Sequence, residues 1–253
     1  MNVMEEKALQ TATMAVIAAG EGSRLRHEGV GTAKPLVEVG GVPMIERLLQ
    51  VGMRHGVTQF HVIINEQSAD VREFLKRRQT ELPIHLIVKT TPSSMHSLFE
   101  LAPHLSASPF LLATVDSIFR ESEFAAYVDA AGRCAADGLL AVTHFIEDEK
   151  PLCVVTDTED RVLQFSDTAE CFDTATGGLY WFRPRIFDVM ADAIGMNTER
   201  LRNFLRLLVA RGYDLRTFRF SKMIDVDHAS DIAAAEALAS EDARDADDRV
   251  RMH

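Results

Sequence analysis

The sequence has few cysteines and no long apolar segment. Cys134, Cys153 and Cys171 form an odd, scattered set without a CxxC pair, which excludes a cysteine zinc site and gives no disulfide framework. The apolar run at residues 14–19 is far too short to span a bilayer, and acidic residues precede it where a secretory signal starts with basic ones. We therefore expect a reduced cytoplasmic protein without a membrane partner.

Basic residues are also scarce. There are 27 Lys and Arg against 38 Asp and Glu, a formal net charge of −11. A general nucleic-acid binder needs a broad basic face, so no nucleic-acid partner is expected, whereas a few local cations still suffice for a small anionic ligand. No internal repeat or flexible linker divides the 253 residues. We expect a single domain over residues 1–240, followed by a charged flexible tail at 241–253.

Short apolar runs alternate with amphipathic segments in the first half of the chain. The runs predict buried strands at 14–18, 61–64, 84–88 and 110–115, and the segments between them predict helices. This alternation predicts a mostly parallel sheet covered on both faces. Later in the chain, residues 153–156 and 161–165 flank turn-forming residues and predict a hairpin.

A glycine-rich loop follows the first predicted strand, in the segment AAGEGSRLRHEGVGTAKPL at 18–36. Gly20 and Gly22 allow consecutive backbone amides to turn toward an anion without a Cβ in the way. Arg24 is suited to grip phosphate oxygens as a fork, and Lys34 to add a point charge. The loop therefore predicts a polyphosphate site. The dinucleotide fingerprint does not match, because Leu25 occupies the position of its third glycine. The P-loop pattern does not match either.

Three aspartates are candidate metal ligands. Asp116 directly follows the predicted strand at 110–115, and open α/β sheets place ligands at the carboxyl ends of their strands. Asp225 and Asp227 point to the same face if their segment is extended, where they repel each other unless a cation lies between them. These oxygens suit Mg²⁺. A helix-capping role remains an alternative for Asp116 and for one of the late pair. The nine histidines show no metal-ligand spacing.

Residues 18–49 closely resemble the signature of the sugar-phosphate nucleotidyltransferases, the nucleoside-diphosphate-sugar pyrophosphorylases. The pattern A-G-x-G-[ST]-R-[LM], a variable loop, K-P-L, and G-x-P-[ML]-[IL] opening a helix is present in order. The resemblance is dense from residue 14 to 49 and sparse afterwards. It implies a glycosyltransferase-A-like, Rossmann-like α/β fold: a three-layer sandwich around a mostly parallel sheet. It also implies a nucleotide-binding half at 13–120 and an acceptor-binding half at 121–240.

The implied reaction joins a nucleoside triphosphate to a phosphomonoester, usually a sugar-1-phosphate, and releases pyrophosphate. The resemblance assigns Arg24 and Lys34 to catalysis and Asp116, Asp225 and Asp227 to Mg²⁺. Nucleotide contacts are expected at Ala18, Ala19, Gly20, Gly22, Ser23, Ser93 and Ser94, although an ordinary helix entry explains Ser93 and Ser94 equally well. Acceptor contacts are expected at Lys150, Gly177 and Gly178, with a solvated lysine as the alternative for Lys150.

Two other functions remain open from the sequence. A metal-dependent glycosyltransferase using an NDP-sugar would employ Asp225-Val226-Asp227 as its D-x-D motif. A non-catalytic nucleotide-sensing module would explain why the segment at 90–95 lacks the family's Gln and Gly-Thr residues. The base, the acceptor and homo-oligomer formation are also left open.

Overall fold

The computed structural model describes residues 13–145, 151–168 and 174–251. The strands are β1 (Thr13–Ala18), β2 (Glu38–Val39), β3 (Val42–Pro43), β4 (Gln59–Ile64), β5 (Ile84–Val88), β6 (Phe110–Thr114), β7 (Ser117–Phe119), β8 (Gly138–Thr143), β9 (Cys153–Thr156), β10 (Val162–Ser166), β11 (Ala175–Phe182), β12 (Leu215–Phe220) and β13 (Met223–Asp225). The helices are α1 (Ser23–His27), α2 (Met44–Arg54), α3 (Ala69–Arg78), α4 (Ser94–Leu105), α5 (Glu121–Arg133), α6 (Met190–Gly195), α7 (Leu201–Ala210) and α8 (Ala229–Arg251). Short 3₁₀ segments span Lys34–Leu36 and Pro184–Val189.

A nine-stranded mixed sheet forms the centre of the described structure. On one side β5, β4, β1 and β6 pair in parallel in that order, which confirms the predicted parallel sheet. The long strand β11 then pairs antiparallel with both β6 and β8, and β8 pairs in parallel with β12. The predicted hairpin is present as β9 and β10, and it joins the sheet through the start of β11.

Helices cover both faces of this sheet, so the predicted three-layer α/β sandwich is confirmed. Side chains alternate along β1: Met14 and Val16 pack with α2, α3 and α5, while Ala15 and Ile17 pack with α4 and α7. Because both faces are covered, β1 is buried over its whole length, as its continuous apolar run predicts. Within the described part of the chain, no helix is both long enough and apolar enough to cross a membrane.

A two-stranded ribbon of β7 and β13 joins the late part of the chain to the carboxyl end of β6. Asp225 pairs with Ser117 in its register, and the amide of Val226 donates to the carbonyl of Asp116 at 3.1 Å. This pairing is what brings the late aspartates to the end of the parallel sheet. The strands have three residues each, too few to give a periodic signal in the sequence.

The C-terminal segment differs from our expectation of a flexible tail at 241–253. Helix α8 continues to Arg251, beyond the boundary that we placed at residue 240. Two of its acidic side chains have partners at the start of α5: Glu241 pairs with Arg120, the residue before the helix, at 2.7 Å, and Asp242 accepts the backbone amide of Glu121 at 2.7 Å. The dipole of α5 favours a negative charge at the start of that helix. The acidic residues of α8 therefore stabilise its packing against α5.

Candidate active site

A cavity of about 520 Å³ opens at the carboxyl ends of β1, β4, β5 and β6. This is the position that the strand order predicts for a ligand in an open α/β sheet. Its wall includes most of the predicted nucleotide-binding residues: Ala19, Gly20, Gly22, Ser23, Ser93 and Ser94. Ala18, the last residue of β1, lies immediately before them. Arg24, Lys34, Asp116 and Asp227 complete the polar side of the same cavity.

Gly22 shapes the glycine-rich loop. Its φ of 59° is left-handed, and a Cβ at this position would lie 2.8 Å from the Cβ of Lys34. Both facts require glycine. Within the described chain, the backbone amides of residues 20–23 donate no hydrogen bond to another backbone group. They therefore remain able to donate to an anion in the cavity, as the loop pattern predicts.

Lys34 links the loop to two aspartates from distant parts of the chain. Its Nζ lies 2.5 Å from Asp116 Oδ2 and 2.5 Å from Asp227 Oδ1, and only 9% of its side chain is exposed. Burial opposes the charged form, but the negative charges of Asp116, Asp225 and Asp227 raise the pKa of Lys34 above its ordinary value. The ammonium is therefore charged at neutral pH. It provides a positive charge at the floor of the cavity.

Arg24 forms the second cationic contact of the loop. Its Nη1 donates to Asp227 Oδ2 at 2.6 Å, so the two oxygens of Asp227 receive Arg24 and Lys34 separately. Both predicted catalytic cations thus meet the same carboxylate, one at each oxygen. Arg24 is more exposed than Lys34 and faces the cavity, where an entering phosphate can reach it.

Asp116, Asp225 and Asp227 converge as predicted, with one oxygen of each within 4.8 Å of the others. Burial opposes ionisation of Asp116, but the charge and hydrogen bond of Lys34 lower the pKa of its carboxyl. Asp225 keeps an exposed edge, yet partial desolvation in the cleft and the negative charge of Asp116 raise its pKa. Such mutual repulsion is relieved by a cation held between the carboxylates.

One oxygen of Asp116 tests whether this cluster suits a metal ion. Asp116 Oδ1 is buried and has no hydrogen-bond partner among the described residues. Buried carboxylate oxygens normally have a partner, so an unsatisfied one next to two further carboxylates fits a divalent cation. The all-oxygen donor set matches the preference of Mg²⁺.

Helix α8 begins two residues after Asp227, at Ala229, and its first turn fixes Asp227. The carboxylate of Asp231 accepts the amides of Asp227 at 2.9 Å and His228 at 2.6 Å. Glu28, at the end of α1, accepts the amide of Ala229 at 2.7 Å. The capping role is therefore carried by Asp231 and Glu28, and the side chain of Asp227 is left to face the cations.

Ser93 and Ser94 hold two helices together beside the cavity. The Oγ of Ser93 accepts the amide of Arg200, and the Oγ of Ser94 accepts the amide of Leu201, both at 3.0 Å. These bonds satisfy free amides at the start of α7. The serines therefore connect α4 to α7, an arrangement that neither of our sequence-based interpretations included. Their contact with a nucleotide stays a prediction.

Asn65 lines the cavity and was missed in the sequence. Its Oδ1 accepts the amide of Gln67 at 2.9 Å and the hydroxyl of Thr90 at 3.2 Å. Asn65 is the first residue after β4, and Asp116 is the second residue after β6. The position of Asn65 after a predicted buried strand was therefore the available signal. Further polar residues in the wall were not singled out either: Thr91, Ser97 and Thr114.

Gly177 and Gly178 lie in β11, where the pairing with β8 is irregular, and outside the wall of the cavity. Gly178 has a φ of +75°, and a Cβ there would collide with the hydroxyls of Thr114 and Ser117. A Cβ at Gly177 would collide with Met223. The glycines therefore let β11 approach the segments that carry the aspartates. Their acceptor contact remains a prediction, and Lys150 lies outside the described residues.

Comparison with known families identifies this arrangement. A family model described as nucleotidyl transferase matches residues 14–241. A probable mannose-1-phosphate guanylyltransferase 1 of Oryza sativa subsp. japonica is 27% identical over 182 residues, covering 68% of this chain and 50% of the relative. A mannose-1-phosphate guanyltransferase of Schizosaccharomyces pombe is 28% identical over 184 residues, with the same coverage. The chain thus spans about half the length of the curated relatives it matches.

Solved structures show the same fold at low sequence identity. The inositol-1-phosphate CTP transferase from T. maritima has a TM-score of 0.77 at 16% identity, covering 91% of this chain and 97% of its own. A putative glucose-1-phosphate thymidylyltransferase from Bacillus anthracis, solved with sucrose, has a TM-score of 0.78 at 18% identity, covering 90% and 94%. The similarity extends over nearly the whole described chain.

Proposed function

Because this chain belongs to the nucleotidyl transferase family, we propose that it joins a nucleoside triphosphate to a phosphomonoester and releases pyrophosphate. A sugar-1-phosphate is the first acceptor to test. One observation carries the proposal: Arg24 and Lys34 of the glycine-rich loop meet the carboxylates of Asp116 and Asp227 at one cavity.

The chemistry requires positioning more than proton transfer. An oxygen of the acceptor phosphate attacks the α-phosphorus, a new P–O bond forms, and the bond to the β-phosphate breaks as pyrophosphate leaves. A phosphomonoester has a second pKa near 6, so the nucleophile is mostly dianionic at neutral pH and needs no strong base. The protein's task is therefore to align the two phosphates and neutralise their charge.

The loop residues have separate roles in this reaction. Lys34, buried and charged, stabilises the negative charge that develops around the α-phosphorus. The Arg24 guanidinium and the backbone amides of residues 20–23 hold the departing pyrophosphate. In the structure the Lys34 ammonium contacts two carboxylates, and its third N–H remains able to donate to a phosphate oxygen.

We also propose that the three aspartates hold Mg²⁺. The unsatisfied Oδ1 of Asp116 and the nearby oxygens of Asp225 and Asp227 fit this ion. When bound, Mg²⁺ would supply positive charge that neutralises the substrate phosphates. Asp231 and Glu28 keep Asp227 in place for this role through their backbone hydrogen bonds.

The partners of Asp227 favour a nucleotidyltransferase over a glycosyltransferase. A D-x-D motif serving only a glycosyltransferase metal needs no cations from a glycine-rich loop. Here Asp227 is bound by both Arg24 and Lys34 of that loop. This arrangement supports an enzyme that grips a triphosphate.

The relatives' names suggest the first substrates. The curated relatives are named for mannose-1-phosphate and guanylyl transfer, and the solved structures for inositol-1-phosphate with CTP and for glucose-1-phosphate with thymidylyl transfer. We therefore propose GTP with mannose-1-phosphate as the first pair. CTP, dTTP, UTP and ATP are tested next, each with inositol-1-phosphate and with glucose-1-phosphate.

The experiment measures pyrophosphate release from each pair with and without Mg²⁺. We expect release with at least one pair, dependent on Mg²⁺, and no release from folded Lys34→Ala or Asp116→Ala variants. The exposed His27→Ala variant on α1 is the matched control and should retain wild-type turnover. Stabilisation by NDP-sugars without pyrophosphate release from any NTP would contradict the proposal and favour the glycosyltransferase.

The remaining parts of the proposal concern the whole chain. We propose that residues 13–120 bind the nucleotide and residues 121–240 bind the acceptor within one domain. The strands that carry the glycine-rich loop and Asp116 belong to the first part, which supports this division. A cytoplasmic location is supported by the unpaired thiols of Cys134 and Cys153. Cell fractionation tests that location.

A further inference from the structure

Three histidines meet at the edge of the large sheet. His61 on β4 lies directly opposite His85 on the edge strand β5, and His104 projects from the last turn of α4. One ring nitrogen of each lies within 4.8 Å of those of the other two. The ring centroids of His85 and His104 are 4.3 Å apart, and that of His61 lies 5.2 Å from His104. The cluster is built from different residues than the candidate active site.

His61 forms the buried floor of this cluster. Only 3% of the residue is exposed, and neither ring nitrogen has a hydrogen-bond partner among the described residues. A buried imidazole with two unsatisfied nitrogens is costly, because each has lost its water without gaining another partner. His85 and His104 are exposed, so the cluster is open to solvent on one side. A ligand arriving from solvent can satisfy His61 between the two outer rings.

We propose that His61, His85 and His104 bind a divalent first-row transition-metal ion, with Zn²⁺ as the representative. Neutral imidazole nitrogens suit Zn²⁺, Ni²⁺ and Co²⁺, whereas the carboxylates of the candidate active site suit Mg²⁺. Three protein ligands leave a fourth tetrahedral position for water.

The geometry requires a modest closure of the rings. With Zn–N bonds of about 2.0–2.1 Å, tetrahedral ligands lie about 3.3 Å from one another. The present nitrogens are within 4.8 Å, so the outer rings have to move inward. His85 and His104 are exposed and have room for such a rotation, while His61 stays fixed in the core. The ionisation state also suits binding, because burial, His104 and His85 lower the pKa of His61 to about 4.

Metal binding here would join α4 to the sheet edge. His104 lies near the end of α4, and Ser94 at the start of the same helix lines the candidate active site. A metal held by all three histidines would fix the helix end to β4 and β5. We expect the folded protein to be stabilised, since the unfolded chain does not hold the three rings together.

The test uses the protein without a polyhistidine tag, freed of metal by a chelator that is then removed, with Mg²⁺ in excess at the carboxylates. Zn²⁺ is titrated by calorimetry, and Co²⁺ by its visible absorption, which reports a site with nitrogen ligands. We expect one equivalent of each to bind the wild type. A Zn²⁺ concentration about a hundred times the dissociation constant should raise the thermal midpoint by about 5 °C or more.

Variants separate this site from other metal ligands. His85→Ala and His104→Ala each remove an exposed ligand, and we expect at least tenfold weaker Zn²⁺ binding and loss of the Co²⁺ band. His27→Ala, which removes an exposed histidine elsewhere, and Asp225→Asn, which alters the carboxylate cluster, should bind Zn²⁺ like the wild type. Thermal midpoints in chelator verify that each variant is folded.

Three outcomes would overturn the proposal. They are no binding by the wild type, wild-type affinity in both histidine variants, and loss of binding in Asp225→Asn. The use of two independent exposed ligands keeps the test decisive if one variant does not fold. None of these readouts depends on the proposed transferase activity.

Discussion

Replacing Lys34 with methionine keeps most of the length of a buried side chain, one atom short, and removes its charge. At 2.5 Å from each of two carboxylates, with an effective dielectric constant of about 20, each pair contributes an attraction of about 7 kcal/mol before desolvation. Desolvation offsets most of this, and Arg24 still neutralises part of Asp227. Breaking a buried pair destabilises a protein by about 3–5 kcal/mol, and the partial exposure of Asp227 places this case near the lower limit.

We therefore expect Lys34→Met to lower the free energy of unfolding by about 3 kcal/mol in the presence of EDTA. For a chain of this length, the thermal midpoint should fall by about 6–12 °C. Mg²⁺ should restore part of the loss, because the proposed cation neutralises the same carboxylates. Turnover should stay at least 10²-fold below wild type even with Mg²⁺, because the charge needed in the transition state is missing.

Urea titrations with EDTA or Mg²⁺, together with pyrophosphate release, measure these effects. Lys89→Met is the matched control, because Lys89 forms an ion pair with Glu100 at 2.7 Å but is 51% exposed. Such a surface pair contributes no more than about 1 kcal/mol. Equal stability of Lys34→Met and wild type in EDTA, or turnover within tenfold of wild type, would refute the reasoning.

Three further predictions follow from local geometry. Gly178→Ala should lower the free energy of unfolding, measured by urea titration, by about 2–3 kcal/mol. The reasons are the positive φ of Gly178 and the collision of an added Cβ with two hydroxyls. Gly132→Ala, with open space around it, is the control and should be neutral or slightly stabilising. Asp231→Ala should cost about 1 kcal/mol of stability and reduce pyrophosphate release, because the amides that fix the start of α8 lose their acceptor. The control Asp129→Ala, at an exposed position, should change neither quantity. Full turnover in Asp231→Ala would contradict the positioning role of Asp231. In chelator, His61 should lower the free energy of unfolding by about 2 kcal/mol as the pH falls from about 6.5 to 4. The cause is that His61 in the unfolded chain binds a proton at a higher pH than in the folded protein. A His61→Leu variant with the same pH dependence as the wild type would exclude His61 as the origin.

The parts of the site that the sequence predicts are those with a local signal. The glycine-rich loop and Lys34 occur within one short stretch, and Asp116 directly follows a continuous apolar strand. Asp225 and Asp227 share a face because of their spacing, and their carboxylates do converge in the structure. The alternation of strands and helices likewise predicts the parallel part of the sheet, since the central strands β1, β4 and β6 are buried on both faces.

The parts that the sequence does not predict depend on contacts between distant elements. His61, His85 and His104 meet only through the register of β4 with β5 and the packing of α4, so their spacing along the chain carries no ligand pattern. The charged composition of residues 241–253 is typical of a solvated segment and carries no signal for a contact with a distant helix. In the fold, Glu241 and Asp242 find partners at the start of α5.

The pairing of loop cations with Asp227 has a consequence for how the protein is made. The bonds from Lys34 and Arg24 to Asp227 span 193 and 203 residues. During synthesis, strands β1, β4, β5 and β6 leave the ribosome long before residue 227 does, and a domain generally folds as a unit. A nascent chain therefore has the phosphate loop before it has the carboxylate that neutralises it. Synthesis interrupted before residue 227 leaves Lys34 and Arg24 without Asp227, so the finished charge arrangement exists only in chains that extend past that residue.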